Sequence, residues 1–420
     1  MKKIYYQLKL KQLSPLRIGN GDSQITDSDL MTDMRGFPFI PGSSLTGVLR
    51  EKMNPNLADR IFGYIKDREL KESIVLVSDA VLPVDTRPEE VSIYKRDGVG
   101  LNDWGTTIKG SKYDFQVVET KKEYVSVIEY SSADEDTEKE LDMLMSGVAG
   151  EGLLLGARTT RGYGRFEVSV YKKVFSFPND LEKWISFDAF DKDAFTDGVR
   201  MEANLTEKDR TIIGINFEVK GTFIVRVKTT NYEVLEDGTK PDSISMMNFE
   251  GFPVIPGTSW AGVFRHHMRE LVRECRMEKE KEKNCLRDVD MIFGKTEDGD
   301  HLRSGIVFSE SEIEEGHPVT VTRNAVDRFT QAPKNTGLYT TRCWSGGKGE
   351  LEIVYENNVM TEFQRQLLAA CIVDMGLGLM PVGGEKGVGR GNVSITEIKV
   401  NGKSVSKDVT DLQTDFLEVG

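Results

Sequence analysis

The sequence predicts an α+β protein built from two tandem ferredoxin-like domains, each with an inserted hairpin. The first observation is a phrase that occurs twice: residues 37–51 read FPFIPGSSLTGVLRE, and residues 252–266 read FPVIPGTSWAGVFRH. The second is that other motifs recur around both copies in the same order. The third is the order of elements predicted in each copy, namely strand, helix, strand, strand, helix, strand, which is the split βαβ arrangement.

Each element follows from a recurring segment. An alternating apolar run predicts the first strand, a short helix begins at the doubled phrase, and an Ile-Phe-Gly motif and a short strand come next. A polar loop, another strand, a helix and a last strand complete each copy. The paired segments are 5–19 with 215–229, 60–63 with 291–294, 73–78 with 305–310, 136–156 with 361–380, and 160–171 with 385–395.

Length and composition favour several globular domains. The chain has 420 residues, of which 38% are hydrophobic and 29% charged, so it has enough apolar material for real cores. The net charge of −13 argues against a nonspecific nucleic-acid coat, but it allows a basic groove on an acidic body. With no secretory signal and no run of about 18 apolar residues, we expect a cytoplasmic protein that does not enter a membrane.

The repeat also sets the predicted domain boundaries. Residues 1–174 form the first domain and residues 209–420 the second. Residues 175–208 fit neither copy, and their aromatic side chains would be costly in a free linker. We therefore expect a connector that wraps around a domain.

The proline-glycine turn in the doubled phrase predicts the start of a helix. Proline fixes its own backbone, glycine permits a tight bend, and Ser44 in the first copy or Thr258 and Ser259 in the second can cap the helix. The helix N-terminus suits phosphate, and Arg50 and Arg265 extend from the same element. Taken alone, each turn is better explained as a capped helix packed on a sheet.

A glycine loop precedes the last strand of each copy. The sequences RGYGR and KGVGR place Arg161 and Arg165 over Lys386 and Arg390 when the two loops are aligned. Glycines permit close approach of the backbone, and the cations would face an anion. A single Gly-x-Gly is usually a plain turn, but its recurrence before the last strand of both copies favours a binding site.

Two polar loops open with an arginine. The spacing from Arg96 to the closing Gly110 equals the spacing from Arg323 to the closing Gly337. The aromatic residues in or near these loops are Trp104, Tyr113, Phe329 and Tyr339. Arginines and aromatics on protruding hairpins suit single-stranded bases, although a solvated hairpin explains either copy alone equally well.

An aspartate holds the same register in two otherwise different acidic loops. Asp27 stands as far before Pro41 as Asp242 stands before Pro256. A carboxylate held near an RNA phosphate could bind a divalent metal or help to activate a 2′-hydroxyl, whereas the alternative is a turn-forming Asp-Ser pair. Asp29 and Asp33 are rivals in the first loop, but their register positions are Ile244 and Asn248 in the second.

Histidine and cysteine give a weaker signal. His266 and His267 follow the second turn, and Cys275 and Cys285 come after them without a tight Cys-x-x-Cys motif. A structural zinc site is conceivable but disfavoured. The four cysteines do not form a disulfide framework, so we expect reduced thiols.

These features together resemble the RAMP superfamily of CRISPR proteins, and most of all the backbone subunits that line CRISPR RNA in type III effector complexes. The resemblance is carried by IPGSSLTGVLRE, RIFG and TRGYGRFEV in the first copy and by IPGTSWAGVFR, MIFG, RNAVDRFTQAPKNTGLY and GGEKGVGRGNV in the second. Where such proteins often have a lysine soon after the serine pair, this chain has Thr46 and Val48, then Ala261 and Val263. Gly100 and Leu101 replace the Asp-Arg found at Asp327 and Arg328.

The resemblance implies a modified RNA-recognition-motif-like core in each RAMP domain. It implies that the proline-glycine helix and glycine loop grip guide RNA, and that the hairpin is a thumb that interrupts the guide–target duplex. It also implies Mg²⁺- or Mn²⁺-dependent cleavage of target RNA with Asp27 and Asp242 as catalytic and metal-binding residues, in a complex with other effector subunits. The residues expected to contact RNA are Ser43, Ser44, Arg50, Arg96, Arg161, Arg165, Thr258, Ser259, Arg265, Arg323, Arg328, Lys386 and Arg390.

Two alternatives stay open. The chain could be a structural guide-binding subunit without chemistry, in which Asp27 and Asp242 only form turns. The weaker alternative is a guide-processing endoribonuclease of the same superfamily, which needs no target strand and relies on His266 or His267.

Overall fold

The computed structural model describes residues 2–21, 26, 29–66, 69–101, 107–119, 121–132, 134–191, 193–204, 210–228, 238, 240–297 and 300–405. It divides the chain into two compact units. The first comprises Met1–Gly100, Thr107–Thr159 and Tyr163–Lys208, and the second comprises the rest of the chain. The predicted connector is thus grouped with the first unit.

The first repeat and the connector form these elements. Its strands are β1 (Lys2–Gln12), β2 (Tyr64–Lys66), β3 (Glu69–Lys71), β4 (Val75–Val77), β5 (Ile93–Leu101), β6 (Thr107–Val118), β7 (Glu123–Ser132), β8 (Leu153–Leu154), β9 (Arg165–Ser176) and β10 (Val199–Arg200). Its helices are α1 (Gly42–Glu51), α2 (Pro55–Phe62), α3 (Glu135–Glu151) and α4 (Leu181–Ile185).

The second repeat continues the numbering. Its strands are β11 (Arg210–Lys220), β12 (Thr222–Phe223), β13 (Arg226–Lys228), β14 (Ser243–Ser245), β15 (Val254–Ile255), β16 (Lys295–Glu297), β17 (Asp300–Leu302), β18 (Ile306–Phe308), β19 (Ser311–Glu312), β20 (His317–Val326), β21 (Pro333–Ser345), β22 (Lys348–Glu356), β23 (Asn392–Val400) and β24 (Lys403–Val405). Its helices are α5 (Gly257–Glu274), α6 (Lys279–Ile292) and α7 (Glu362–Gly376).

Both units are built on an antiparallel sheet of the same topology. The strand order is β9-β1-β7-β4 in the first sheet and β23-β11-β22-β18 in the second. Counted along each repeat, this is fourth, first, third, second in both. The predicted α+β class and ferredoxin-like arrangement are confirmed.

Alternation along the central strands decides which face of each sheet is buried. In β1, the side chains of Ile4, Tyr6 and Leu8 are fully buried in the main core of the first unit. In β11, Ile213 and Ile215 are buried in the same way, and they share a core with Trp260 of α5. The paired helices therefore pack on one face of each sheet, as the apolar periodicity predicts.

The connector covers the other face of the first sheet. Tyr5 and Val127 point away from the main core and pack against Phe175, Phe187 and Phe195. The indole Nε1 of Trp184 donates a hydrogen bond of 2.9 Å to the Tyr5 hydroxyl. Most aromatic residues of this segment are thus buried or half-buried on the first unit, whereas Phe190 is exposed.

The proline-glycine turn owes its glycine to a close approach between backbones. A Cβ on Gly42 would lie 2.4 Å from the carbonyl oxygen of Val77 in β4, and one on Gly257 would lie 2.3 Å from that of Phe308 in β18. The Gly42 amide also donates to Asp79 Oδ1 at 2.7 Å. The N-terminus of α1 therefore packs directly against the edge strand β4, and that of α5 packs against β18.

The predicted serine and threonine caps are wrong. The N-cap residues of α1 and α5 are Pro41 and Pro256, and neither helix start has a side-chain cap hydrogen bond. The reason is positional, because Ser44, Thr258 and Ser259 lie within the first turn rather than before it.

None of the described helices has both the length and the apolar character that a membrane span requires.

We expect two glycines of one helix to respond oppositely to alanine. Gly42→Ala should lower the free energy of unfolding by about 1–3 kcal/mol, because its methyl group overlaps the Val77 carbonyl. Gly47→Ala should raise it by about 0.5–1 kcal/mol, since a Cβ there has no atom within 4 Å and alanine favours the helix. Urea unfolding of both variants measures this, and equal effects would contradict the close-approach explanation.

Candidate nucleic-acid interface

The two arginine-opened segments form β-hairpins. In the first hairpin, β5–β6, Lys112 Nζ lies 3.0 Å from Asp97 and Lys95 pairs with Asp114. The second hairpin, β20–β21, pairs from His317 with Ser345 to Val326 with Pro333. Trp104 lies outside the described residues.

The tip of the second hairpin presents side chains to solvent. Phe329 is 92% exposed and the neighbouring Arg328 is also exposed. Asp327 shapes this tip, because its Oδ1 accepts hydrogen bonds from the amides of Thr330 and Phe329. These bonds lower the pKa of Asp327. An exposed aromatic ring beside an arginine is suited to stack on an unpaired base.

Asp242 lies at the base of the free part of the second hairpin, next to the point where β21 stops pairing with β14. Its amide donates to the Thr340 carbonyl at 2.8 Å, and its Oδ2 accepts from the Thr340 amide at 2.7 Å. The following strand β14 runs parallel to β21, with Ser243 opposite Thr341. The carboxylate is exposed, so one oxygen is held by the hairpin while the group remains open to solvent.

Asp27 lies outside the described residues, but its neighbours keep the predicted register. Met31 donates its amide to the Ile18 carbonyl at 2.9 Å, and Met246 donates its amide to the Val225 carbonyl at 2.7 Å. Met31 and Met246 have the same separation along the chain as Asp27 and Asp242. The sequence separation between Pro41 and Pro256 therefore also holds within the two acidic loops.

The two rival aspartates have protein partners. Asp29 is 6% exposed, and its Oδ1 accepts from the amide and hydroxyl of Thr26. Asp33 forms a turn by accepting from the Phe37 amide, a role that Asn248 repeats with Phe252. Despite desolvation, these hydrogen bonds and those from Arg35 hold the pKa of Asp33 below its usual value.

The hydroxyl residues at the helix starts remain near the surface. Ser43 is exposed, and the other three, Ser44, Thr258 and Ser259, are half-buried. They lie in the first turn of α1 or α5, where the free amides of a helix end favour an anion. Their predicted contact with RNA stays a prediction.

Arg50 and Arg265 have an internal role that sequence reasoning missed. Arg50 Nη2 lies 2.7 Å from Asp59, and Arg265 Nε lies 3.0 Å from Asp290. Both aspartates stand at the same position before the glycine of the Ile-Phe-Gly motif, which is the signal that could have revealed the pairing. Each arginine therefore clamps the first helix of its repeat to the next, and its predicted contact with RNA would compete with this pairing.

Two arginines predicted to contact RNA are buried. Arg96 is 3% exposed and reaches Glu119 at 3.1 Å. Arg390 is 2% exposed, with Nη1 at 2.8 Å from Glu385. Both guanidiniums turn inward to a carboxylate, so a contact of these two side chains with RNA would have to displace that ion pair, and it stays a prediction. Arg161, Arg165 and Lys386 are exposed.

The predicted alignment of the two glycine loops is displaced. A Cβ on Gly164 would lie 1.8 Å from the Leu155 carbonyl, and one on Gly391 would lie 2.0 Å from that of Val382. These two glycines are therefore equivalent, rather than Gly164 and Gly389. The sequence alignment paired the wrong glycines because KGVGRG contains three glycines in alternate positions.

The corrected alignment changes which residues correspond. Tyr163 occupies the position of Arg390, and Arg158 occupies that of Glu385. Arg158 and Glu385 both have left-handed backbones, with φ of 62° and 58°, just before a short 3₁₀ turn. The two loops are alike in path but opposite in charge at this position.

Glu385 gathers three arginines in the second unit. Its carboxylate oxygens lie 2.6 Å from Arg226, 3.1 Å from Arg323 and 2.8 Å from Arg390. Although desolvation opposes ionisation, these arginines hold the pKa of Glu385 below its usual value. The base of the second hairpin is thereby tied to the glycine loop.

Among the described residues, no group of three or more His, Cys, Asp or Glu side chains is placed to hold a metal ion. His267 Nε2 lies 2.7 Å from Asp374, and His266 lies 3.3 Å from Glu270, so the two histidines of the disfavoured zinc site with Cys275 and Cys285 each face a carboxylate. Asp242 fits Mg²⁺ better, because Mg²⁺ commonly uses one or two carboxylates together with substrate phosphates and water.

We expect Glu385→Gln to destabilise the second unit by roughly 3 kcal/mol near neutral pH, because it leaves the buried Arg390 without its charge partner. The pKa of Glu385 is lower in the folded state, so its contribution is complete above pH ~4.5 and is lost as the pH falls below that value. Urea midpoints of wild type and variant should therefore differ more near neutral pH than at acidic pH, because the contribution falls away as the pH drops through the lowered pKa of Glu385.

The matched control for that experiment is Glu315→Gln, which breaks an exposed pair with Lys348. Because water screens exposed pairs, its urea midpoint should stay that of the wild type. A Glu385→Gln effect that is the same at both pH values would contradict the assignment to ion pairing.

Comparison with known proteins agrees with the doubled fold. The family model described as the RAMP superfamily matches residues 9–167 and 216–394, one match in each repeat. A search of curated proteins found no match. The two matched regions cover most of the chain, and each runs from within the first strand to within the last strand of a ferredoxin-like core. The chain therefore belongs to the RAMP superfamily, a family of CRISPR-associated RNA-binding proteins.

Proposed function

We propose that the chain is a fused pair of backbone subunits of a type III CRISPR effector complex, which binds guide RNA and cleaves the paired target RNA. The observation that carries this proposal is the position of Asp242, an exposed carboxylate attached to the base of a protruding hairpin. The register of Asp27 extends the same role to the first domain. Guide RNA, target RNA and neighbouring effector subunits are the partners, and the cytoplasm is the proposed location.

The hairpin would prepare the substrate for cleavage. Its exposed tip, with Arg328 and Phe329, can separate one base pair and stack against the displaced base. A displaced nucleotide can rotate until its 2′-hydroxyl lies in line with the adjacent phosphorus. Asp242 is anchored to the same strand through Thr340, so its carboxylate would have a fixed position relative to this nucleotide.

The reaction is an internal transesterification. The 2′-oxygen forms a bond to phosphorus, the bond from phosphorus to the 5′-oxygen breaks, and the products end in a 2′,3′-cyclic phosphate and a 5′-hydroxyl. The proton lost by the 2′-hydroxyl is balanced by the proton gained by the 5′-oxygen. Bound Mg²⁺ or Mn²⁺ would stabilise the charge that develops on the phosphate oxygens. Asp242 would hold that cation or orient the attacking hydroxyl.

One observation favours the non-catalytic alternative. The Asp242 amide and carboxylate both bond to Thr340, and this pairing could serve only to dock β14 on the hairpin. The guide-processing alternative has less support, because His267 is engaged with Asp374. Cleavage of a paired target therefore discriminates best between the candidates.

We expect Asp242→Asn to slow target cleavage at one position by roughly 100-fold or more, and Asp27→Asn to do the same at another. Asparagine keeps an oxygen for the Thr340 amide, so the hairpin stays docked. The measurement is mapping of cut sites with magnesium in the complex assembled on guide RNA. Asp33→Asn is the matched control, because Asn248 already fills that turn in the second copy, and it should cut as wild type does.

Unchanged cutting by Asp27→Asn, Asp242→Asn and the double variant would overturn the catalytic assignment. Binding of guide and target RNA by these variants would at the same time leave a structural subunit as the function. Cleavage of precursor RNA by the isolated chain, without any target strand, would instead favour guide processing.

A further inference from the structure

The first domain contains two arginines that no sequence motif singled out. Arg17 follows β1, and Arg158 opens the glycine loop. The Arg17 carbonyl accepts the amide of Ala157 at 2.8 Å, which brings the two segments together. We call Arg17 and Arg158 the arginine pair.

Both guanidiniums pack on the same aromatic ring. The Cζ of Arg17 lies 4.8 Å from the ring centre of Phe115, and that of Arg158 lies 4.2 Å from it. Arg158 also lies 4.7 Å from the centre of Tyr113, whose ring stacks on Phe115. These rings belong to β6, so the arginine pair is held against the base of the first hairpin.

No described carboxylate forms an ion pair with either arginine. Instead, desolvation and the neighbouring charge of Arg158 lower the pKa of Arg17. The Nε of Arg17 is buried and has no hydrogen-bond partner within the described part of the chain. A buried donor left unpaired costs about 1–3 kcal/mol, so this arrangement is unfavourable unless an anion joins it.

The second domain has replaced the whole arrangement. In the first glycine loop the amide of Ala157 donates to the Arg17 carbonyl, and in the second the amide of Gly384 donates to the Ile224 carbonyl. Ile224 is therefore the counterpart of Arg17. Glu385 stands at the position of Arg158. The second domain thus supplies its own carboxylate where the first places a cation, and that carboxylate already contacts Arg226, Arg323 and Arg390.

We propose that the arginine pair binds the phosphate backbone of RNA in the first domain, and that Glu385 fills the corresponding place in the second. The two domains therefore hold RNA unequally, with a phosphate contact at the first glycine loop that the second lacks. This inference rests on the proposed function, because it assumes that RNA runs along the hairpin bases. It adds Arg17 and Arg158 to the residues proposed to contact RNA, and it adds a difference in RNA contacts between the two repeats.

Asparagine at position 158 separates binding from folding. Arg158 has a left-handed backbone, which asparagine adopts more readily than most residues. Arg158→Asn should therefore melt at or above the temperature of the wild type while losing the charge. Arg17→Gln is the second variant, and Arg200→Gln is the matched control, since Arg200 is an exposed arginine of the same unit.

The test measures binding of a fluorescent single-stranded RNA to the full chain between about 50 and 200 mM salt. Arg158→Asn and Arg17→Gln should each weaken binding by roughly tenfold. For each phosphate contact that a variant removes, the slope of log K against log salt should fall by about 0.7. The Arg200→Gln control should keep the affinity and slope of the wild type.

A parallel arm uses inorganic phosphate and no RNA. Phosphate should raise the melting temperature of the wild type and of Arg200→Gln but not that of Arg158→Asn. RNA binding by both arginine variants with wild-type affinity and slope would overturn the inference and leave the proposed function standing. Failure of the wild type to bind RNA would overturn both, and the phosphate arm would then show whether the arginine pair is an anion site unrelated to RNA.

Discussion

The close approach between a helix start and an edge strand is the constraint on which both repeats depend. Gly42 and Gly257 bring α1 and α5 so near to β4 and β18 that a Cβ would overlap a strand carbonyl. This contact fixes where each helix begins. Because the acidic loop runs directly into that helix, its register is fixed as well. The doubled phrase therefore marks a backbone contact. It contributes to a binding surface only because that contact positions the helix start and the acidic loop.

The clamp behind the helix depends on the same arrangement. Arg50 and Arg265 form ion pairs with Asp59 and Asp290, so the first two helices of each repeat are held together. The arginines of the doubled phrase thus stabilise helix packing, whereas the hydroxyl residues of the first helical turn remain near the surface. An arginine in a repeated motif is evidence of a shared constraint, and that constraint need not be a ligand.

Sequence reasoning predicted the features that depend on backbone geometry. The repeat, the strand order and the hairpins follow from periodicity and turn residues, and the offset between Pro41 and Pro256 persists back to Met31 and Met246. It could not predict where long side chains turn. Arg96 and Arg390 are buried because Glu119 and Glu385 lie within reach, and those carboxylates are remote in sequence or hidden by the displaced loop alignment.

A shared scaffold carries two sites that differ in charge. We propose above all that Asp242, anchored at the hairpin base, faces a displaced nucleotide of the target. The most direct measurement is a structure of the assembled complex with guide RNA and a target blocked by a 2′-deoxy substitution at the cut site. We expect the scissile phosphate to lie beside the Asp242 carboxylate, with the displaced base against the second hairpin. A continuous duplex that leaves Asp242 remote from every phosphate would contradict it.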